Sequence, residues 1–135
     1  MCTLRLEVGT IAKSVPVIPG FPVGSRPYSL VVEANGFVFL SGQIGDDPLT
    51  GSVPPGGFER EARQVFENIK TLLGGVGLDL KHVVKTTVYL TDMANFQLYN
   101  SLFREYFPSE PPVRATVITQ LVPPYTIEID AIAAR

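Results

Sequence analysis

The hydrophobic period of this chain switches back and forth between helix-like and strand-like spacing, which restricts its fold more than any other feature. Phe58, Ala62, Val65, Phe66, Ile69, Leu72, Leu73 and Val76 recur at three and four, predicting a helix with one apolar face. Gly74, Gly75 and Gly77 end it, as residues tolerant of positive φ do past a C-terminus. Residues 83–90 have period two, with Val84, Thr86, Val88 and Leu90 alternating against Lys85, Thr87 and Tyr89. Thr91 and Asp92 can cap a second helix, whose stripe of Phe96, Tyr99, Leu102, Phe103 and Tyr106 stops at Pro108. Strands over about 113–120 and 125–133 follow, with Pro123 and Pro124 between them. Upstream, residues 35–41 read as a strand with Phe37, Phe39 and Ser41 on one side and Val38 and Leu40 on the other. Pro16, Pro19, Pro22 and Pro27 make residues 1–27 an extended lead-in, and residues 42–57 are a turn-rich connection.

This β-α-β-α-β-β order predicts a two-layer α+β fold, a mixed sheet with both helices on one face. A chain of 135 residues supplies one domain, 1–135. Both faces of the strands carry apolar residues, so the face without helices needs cover from outside the chain. Composition points the same way: charged residues are 18% and hydrophobic residues 45% of the total, where an ordinary domain carries about 25% charged. An oligomer of identical chains is expected.

Other classes fall away. One cysteine, Cys2, and one histidine, His82, cannot build a Cys/His zinc site or a disulfide within one chain, so a reducing, cytoplasmic setting is expected. A net charge of −2 without a run of basic residues disfavours nucleic acid as a partner. No apolar stretch of about 18 residues is present to span a membrane. Arg5, Glu7 and Lys13 break the continuous apolar core that a secretory signal needs.

Arg114 shares a strand face with Thr116 and Ile118, and Glu128 shares one with Asp130. Whether these faces meet depends on strand order, which remains open at this level. An arginine at an apolar boundary offers a planar donor fork to a small carboxylate; the alternative is a structural pair with Glu128 or Asp130. Ser41 has no evident base, because His82 reads as an ordinary, partly exposed side chain. Gly42 either admits a ligand to the backbone or serves a turn, and Tyr28 either lines a pocket or packs.

Four strings, Ser41-Gly42-Gln43-Ile44-Gly45, Val83-Val84-Lys85-Thr86-Thr87-Val88-Tyr89-Leu90-Thr91-Asp92-Met93, Pro111-Pro112-Val113-Arg114-Ala115-Thr116-Val117 and Ile127-Glu128-Ile129-Asp130-Ala131-Ile132-Ala133, together resemble the RidA (YjgF) family of reactive-intermediate deaminases. The resemblance runs from about Tyr28 to Ala133. It implies a chorismate-mutase-like α+β fold, a homotrimer with clefts between subunits, and hydrolysis of 2-imino acids to 2-oxo acids and ammonia without metal or cofactor. Arg114 then matches the arginine that holds the substrate carboxylate, and Glu128 the glutamate that positions water. Tyr28, Ser41, Gly42, Asn100 and Thr116 match pocket positions.

The chain departs from the pattern at Arg26-Pro27-Tyr28-Ser29-Leu30, where the family commonly has Gly-Pro-Tyr-Ser-Gln, and at Ala115, usually serine. Arg26 suggests a larger or second acidic group on the substrate, as in a ring-cleavage intermediate of the 2-aminomuconate type. A non-catalytic binder of small carboxylates and an RNA-directed translation inhibitor are the remaining readings.

Overall fold

The computed structural model describes residues 12–21 and 24–135. Cys2, the other residues of 1–11, Pro22 and Val23 lie outside the described residues. The elements are β1 (Val31–Ala34), β2 (Phe37–Gln43), α1 (Gly57–Gly74), β3 (Val83–Leu90), α2 (Phe96–Tyr106), β4 (Val113–Ile118) and β5 (Ile127–Ala134). The order therefore carries one strand more than the sequence reading.

Asn35 and Gly36, read as the start of a strand, are instead the turn between β1 and β2. Both have positive φ, 52° and 79°, and Ala34 pairs with Phe37 across them. Such a turn matches the twist of the paired strands, and Asn-Gly is its preferred sequence. Ser14 forms an isolated antiparallel bridge with Glu33, so part of the lead-in runs beside the hairpin.

Both helices form close to the predicted places. α1 ends at Gly74, but only Gly77 of the three glycines has positive φ (79°), while Gly75 keeps a right-handed helical φ of −65°. The Leu78 N–H reaches back to the Leu73 carbonyl at 2.9 Å and closes the turn. Before α2, the Asp92 carboxylate accepts the Ala94 N–H at 2.9 Å and caps a short 3₁₀ turn over Met93–Asn95; neither Thr91 nor Asp92 caps α2 itself, which starts after Asn95 without a side-chain cap. His82 closes another such turn, Leu80–His82, where its Nδ1 accepts the Asp79 N–H at 3.1 Å.

The five strands lie in the order β1-β2-β5-β3-β4. β3 and β4 are parallel and connected through α2, while every other pair is antiparallel. β5 is inserted between β2 and β3, so the last two strands are not neighbours. Val38, Leu40, Val88, Leu90, Ile127, Ile129, Ala131 and Ala133 are buried in a core shared with Val65, Phe66, Ile69, Leu72, Leu73, Tyr99 and Leu102 of the helices. Each large side chain so buried contributes about 1.5–3 kcal/mol of transfer free energy. Val84 departs from the predicted alternation: the ladder slips between Val83 and Lys85, leaving Val83 buried and Val84 exposed.

The face away from the helices presents Phe37, Phe39, Val113 and Val117, all exposed, with Ile132, Tyr89, Glu128 and Asp130 among them. No helix among the described residues is long and apolar enough to cross a membrane.

Candidate functional site

The predicted site residues fall into two groups on opposite faces of the sheet. Thr86, Val88 and Leu90 are buried beneath the helices and pair directly with Arg114, Thr116 and Ile118. Directly paired residues share a face, so Arg114 stands on the helix side of the edge strand β4. Glu128 pairs with Tyr89, which belongs to the helix-free face. The two faces left open by the sequence reading therefore do not meet within one chain, and Arg114 is not the structural partner of Glu128 or Asp130.

Arg114 is instead held by α2. Its Nη1 donates to Asn100 Oδ1 at 2.9 Å, and its guanidinium carbon lies 5.1 Å from the Tyr99 ring centre and 4.8 Å from that of Phe103. Stacking and one hydrogen bond orient the planar fork while leaving the side chain exposed. The helical stripe read as core supplies this platform. Thr116, two residues on, shares a 3.1 Å hydrogen bond with the Tyr99 hydroxyl.

The second group forms around an irregularity in β2. Leu40 pairs with Ala131 and Gln43 with Ile129, so Ser41 and Gly42 together oppose Asp130 in a bulge. Gly42 and Gln43, read as connection, thus belong to the strand. The Ser41 N–H donates to the Leu30 carbonyl at 2.9 Å and its hydroxyl to the Ser29 carbonyl at 2.6 Å. That serine organises the segment carrying Tyr28. A Cβ on Gly42 would lie 2.6 Å from Glu128 Oε2, so glycine at the bulge is what lets the carboxylate fold over the strand.

Burial, with the nearby Asp130 charge, pushes the Glu128 carboxyl above the ordinary carboxylate range. Such a group is a stronger base than a solvated glutamate. Arg26, Tyr28, Leu30, Gly42 and Gln43 line a neighbouring cavity of about 290 Å³. Asp46, on its rim, accepts the Tyr125 hydroxyl at 2.8 Å; burial and Asp46 push that phenol up to about 12.

Sequence reasoning missed the polar residues of α1. Glu61, Gln64 and Asn68 are buried at helical spacing on a helix read only for its apolar stripe. Asn68 donates to the carbonyls of Ile44 (3.1 Å) and Asp46 (2.8 Å), fixing the loop that leaves the bulge. Glu61 accepts both the N–H (2.8 Å) and the hydroxyl (2.6 Å) of Thr126 at the entry to β5. The seven-residue span from Glu61 to Asn68 was the available signal, since it places both on one side of the helix.

The family model described as Endoribonuclease L-PSP matches residues 21–135. A RutC family protein of Pyrococcus horikoshii is 43% identical over 115 residues, covering 84% of this chain and 90% of the relative. The 2-iminobutanoate/2-iminopropanoate deaminase of Mus musculus is 38% identical over 115 residues, with 84% and 85% covered. The crystal structure of RidA from the Antarctic bacterium Psychrobacter sp. superposes with a TM-score of 0.82 at 36% identity, covering 90% of this chain and 99% of that one. With its mixed five-stranded sheet and paired helices, the chain belongs to the YjgF/RidA family.

Proposed function

We propose that this protein hydrolyses reactive 2-imino acids and their enamine tautomers, of the 2-aminoacrylate and 2-iminobutanoate class, in clefts between the subunits of a homotrimer. The observation that carries the reading is the placement of Arg114 and Glu128 on opposite faces of one sheet. One small imino acid cannot touch both within a single chain. It can do so where the helix-free face of one copy is covered by the β4 edge of another, which also covers the apolar surface.

In this cleft Arg114 of one copy binds the α-carboxylate, and Glu128 of the next holds a water against the imine carbon. The carbon is already electrophilic, so orientation supplies much of the acceleration. As the water oxygen bonds to carbon, the C=N π pair moves to nitrogen and Glu128 accepts a water proton. Glu128 returns that proton to nitrogen, giving the neutral carbinolamine; it then takes the hydroxyl proton and passes it to nitrogen as the C–N bond breaks, so ammonia leaves and the 2-oxo acid remains. Tyr28, Ser41 and Gly42 shape the Glu128 side of the pocket, while Asn100 and Thr116 shape the Arg114 side. No step requires a metal or organic cofactor.

Support for imine chemistry comes from the deaminase named among the relatives and from the raised Glu128 carboxyl. The family model's description as an endoribonuclease suggests an RNA-directed reading, but a net charge of −2 gives phosphate backbones little to bind. A substrate with a second acidic group is favoured by one observation, that Arg26 lines the cavity beside Gly42 and Tyr28.

The deciding assay generates 2-aminoacrylate or its butanoate homologue in situ and follows oxo-acid release. Wild type should accelerate release, and Glu128→Ala should lose about 10²–10⁴-fold, as for removal of a general base. Arg114→Ala should lose most of kcat/KM. Binding of 2-oxo acids without acceleration would instead favour a carboxylate-binding protein.

A further inference from the structure

We propose that Glu61, a buried carboxylate outside the cleft, is a positioning residue that holds the Glu128 backbone in place; this rests on the imine-hydrolase reading above. The β2–β5 ladder runs only as far as Gln43 and Ile129. Beyond it, Glu128 and Ile127 keep ladder partners on one side alone, Tyr89 and Leu90 of β3. At that point β2 has bulged away and its chain has turned out over α1.

Glu61 replaces the lost neighbour. It is only 5% exposed and both carboxylate oxygens are occupied, Oε2 by the Thr126 N–H at 2.8 Å and Oε1 by the Thr126 hydroxyl at 2.6 Å. The Thr126 carbonyl accepts the Thr91 N–H at 3.1 Å, so the residue two before Glu128 is pinned from both sides. The departing strand is moulded to the same group: a Cβ on Gly45 would lie 2.5 Å from Glu61 Cγ and 2.8 Å from the Glu61 carbonyl oxygen.

A buried carboxylate is costly unless its hydrogen bonds are made, and Ala62 and Val65 beside it show that this helix accommodates apolar residues in the core. Its geometric effect is to fix β5 on the side where β2 no longer does, directly before the residue that must sit over Gly42. Loss of the clamp should let Glu128 drift, which penalises a step requiring alignment more than it penalises substrate binding.

The experiment compares Glu61→Ala, Glu61→Gln and Thr126→Val with wild type in the imine assay. A ¹³C NMR titration of the Glu128 carboxyl and circular dichroism accompany it. Glu61→Ala should lower kcat about tenfold with KM changed less than about twofold. Glu61→Gln, which keeps a carbonyl acceptor, should recover most of the loss, and Thr126→Val should fall between. The Glu128 titration should move down toward the ordinary carboxylate range in Glu61→Ala as water enters. A folded Glu61→Ala with kcat and titration like wild type would overturn the proposal, as would equal losses in the alanine and glutamine variants. If Glu61→Ala does not fold, Thr126→Val decides: a fall in kcat at constant KM supports the clamp, and wild-type kinetics overturn it. If wild type itself fails to hydrolyse imines while the Glu128 titration still moves, the reaction reading falls and the positioning role stands.

Discussion

Gly42 and Glu128 are fitted to one another: any side chain on the glycine would place a carbon 2.6 Å from the carboxylate oxygen. The bulge in β2 and the bare backbone at its centre give Glu128 a fixed seat on a strand it does not belong to. Gly42→Ala should therefore leave the core intact and push Glu128 aside. A displacement of about 1 Å can cost up to about 10²-fold in rate, so kcat for imine hydrolysis should fall by roughly tenfold to a hundredfold. Thermal denaturation alongside the assay separates this from unfolding.

The raised Glu128 carboxyl fixes the sign of two pH effects. With Glu128 as the proposed base, activity follows its ionised form, so kcat/KM should fall as pH drops through the raised value, at higher pH than for an ordinary glutamate. Asp130→Asn removes a like charge that contributes to the elevation, and should move this acid limb to lower pH. Because the folded carboxyl takes up its proton more readily than the unfolded one, ionising it at neutral pH costs stability. Glu128→Gln should thus melt at a higher temperature than wild type near pH 7, with the difference vanishing as the pH falls below the unfolded carboxyl's range.

Arg26 bears on substrate range. If it receives a distal carboxylate in the cavity beside Gly42, Arg26→Ala should lower the ratio of kcat/KM for a dicarboxylic over a short neutral imino acid by about tenfold, the worth of one charge-assisted hydrogen bond. Parallel assays with imines produced in situ from aspartate and alanine read this ratio. A ratio unchanged by the substitution would remove Arg26 from specificity.

The helix-free face should be the assembly surface. Phe39 is 40% exposed there and pairs with Ile132. Phe39→Glu would bury a charge on assembly at a cost of several kcal/mol, which exceeds what a marginal contact returns. Sedimentation at micromolar concentration should find wild type as a trimer and the variant dissociated, with imine hydrolysis lost in step.

Much of this was legible from periodicity, because strong two-residue and three-to-four-residue spacings report directly which side of an element is buried. β3 was read with its observed bounds. The first hairpin was not, since the Asn35-Gly36 turn is followed at once by a stronger apolar alternation that absorbed it. Residue types identified Arg114 and Glu128 as candidates, but only the insertion of β5 between β2 and β3 separates their faces. That insertion depends on long-range pairing that leaves no local trace. Glu61, Gln64 and Asn68 escaped because a polar residue on an amphipathic helix is ordinarily taken as solvated, whereas here a loop and a strand entry reach over the helix to meet them.

The central claim is that one active site draws Arg114 and Glu128 from different copies, and mixing two inactive variants tests it most directly. Arg114→Ala and Glu128→Ala are each purified, then unfolded and refolded together in equal amounts. If the site is shared between neighbours in a closed trimer, random assembly pairs an intact arginine with an intact glutamate at about one interface in four, so about a quarter of wild-type imine-hydrolase activity should return. If both residues served one chain's own site, every subunit would carry a defect, and activity no higher than that of the two separate variants would contradict the account.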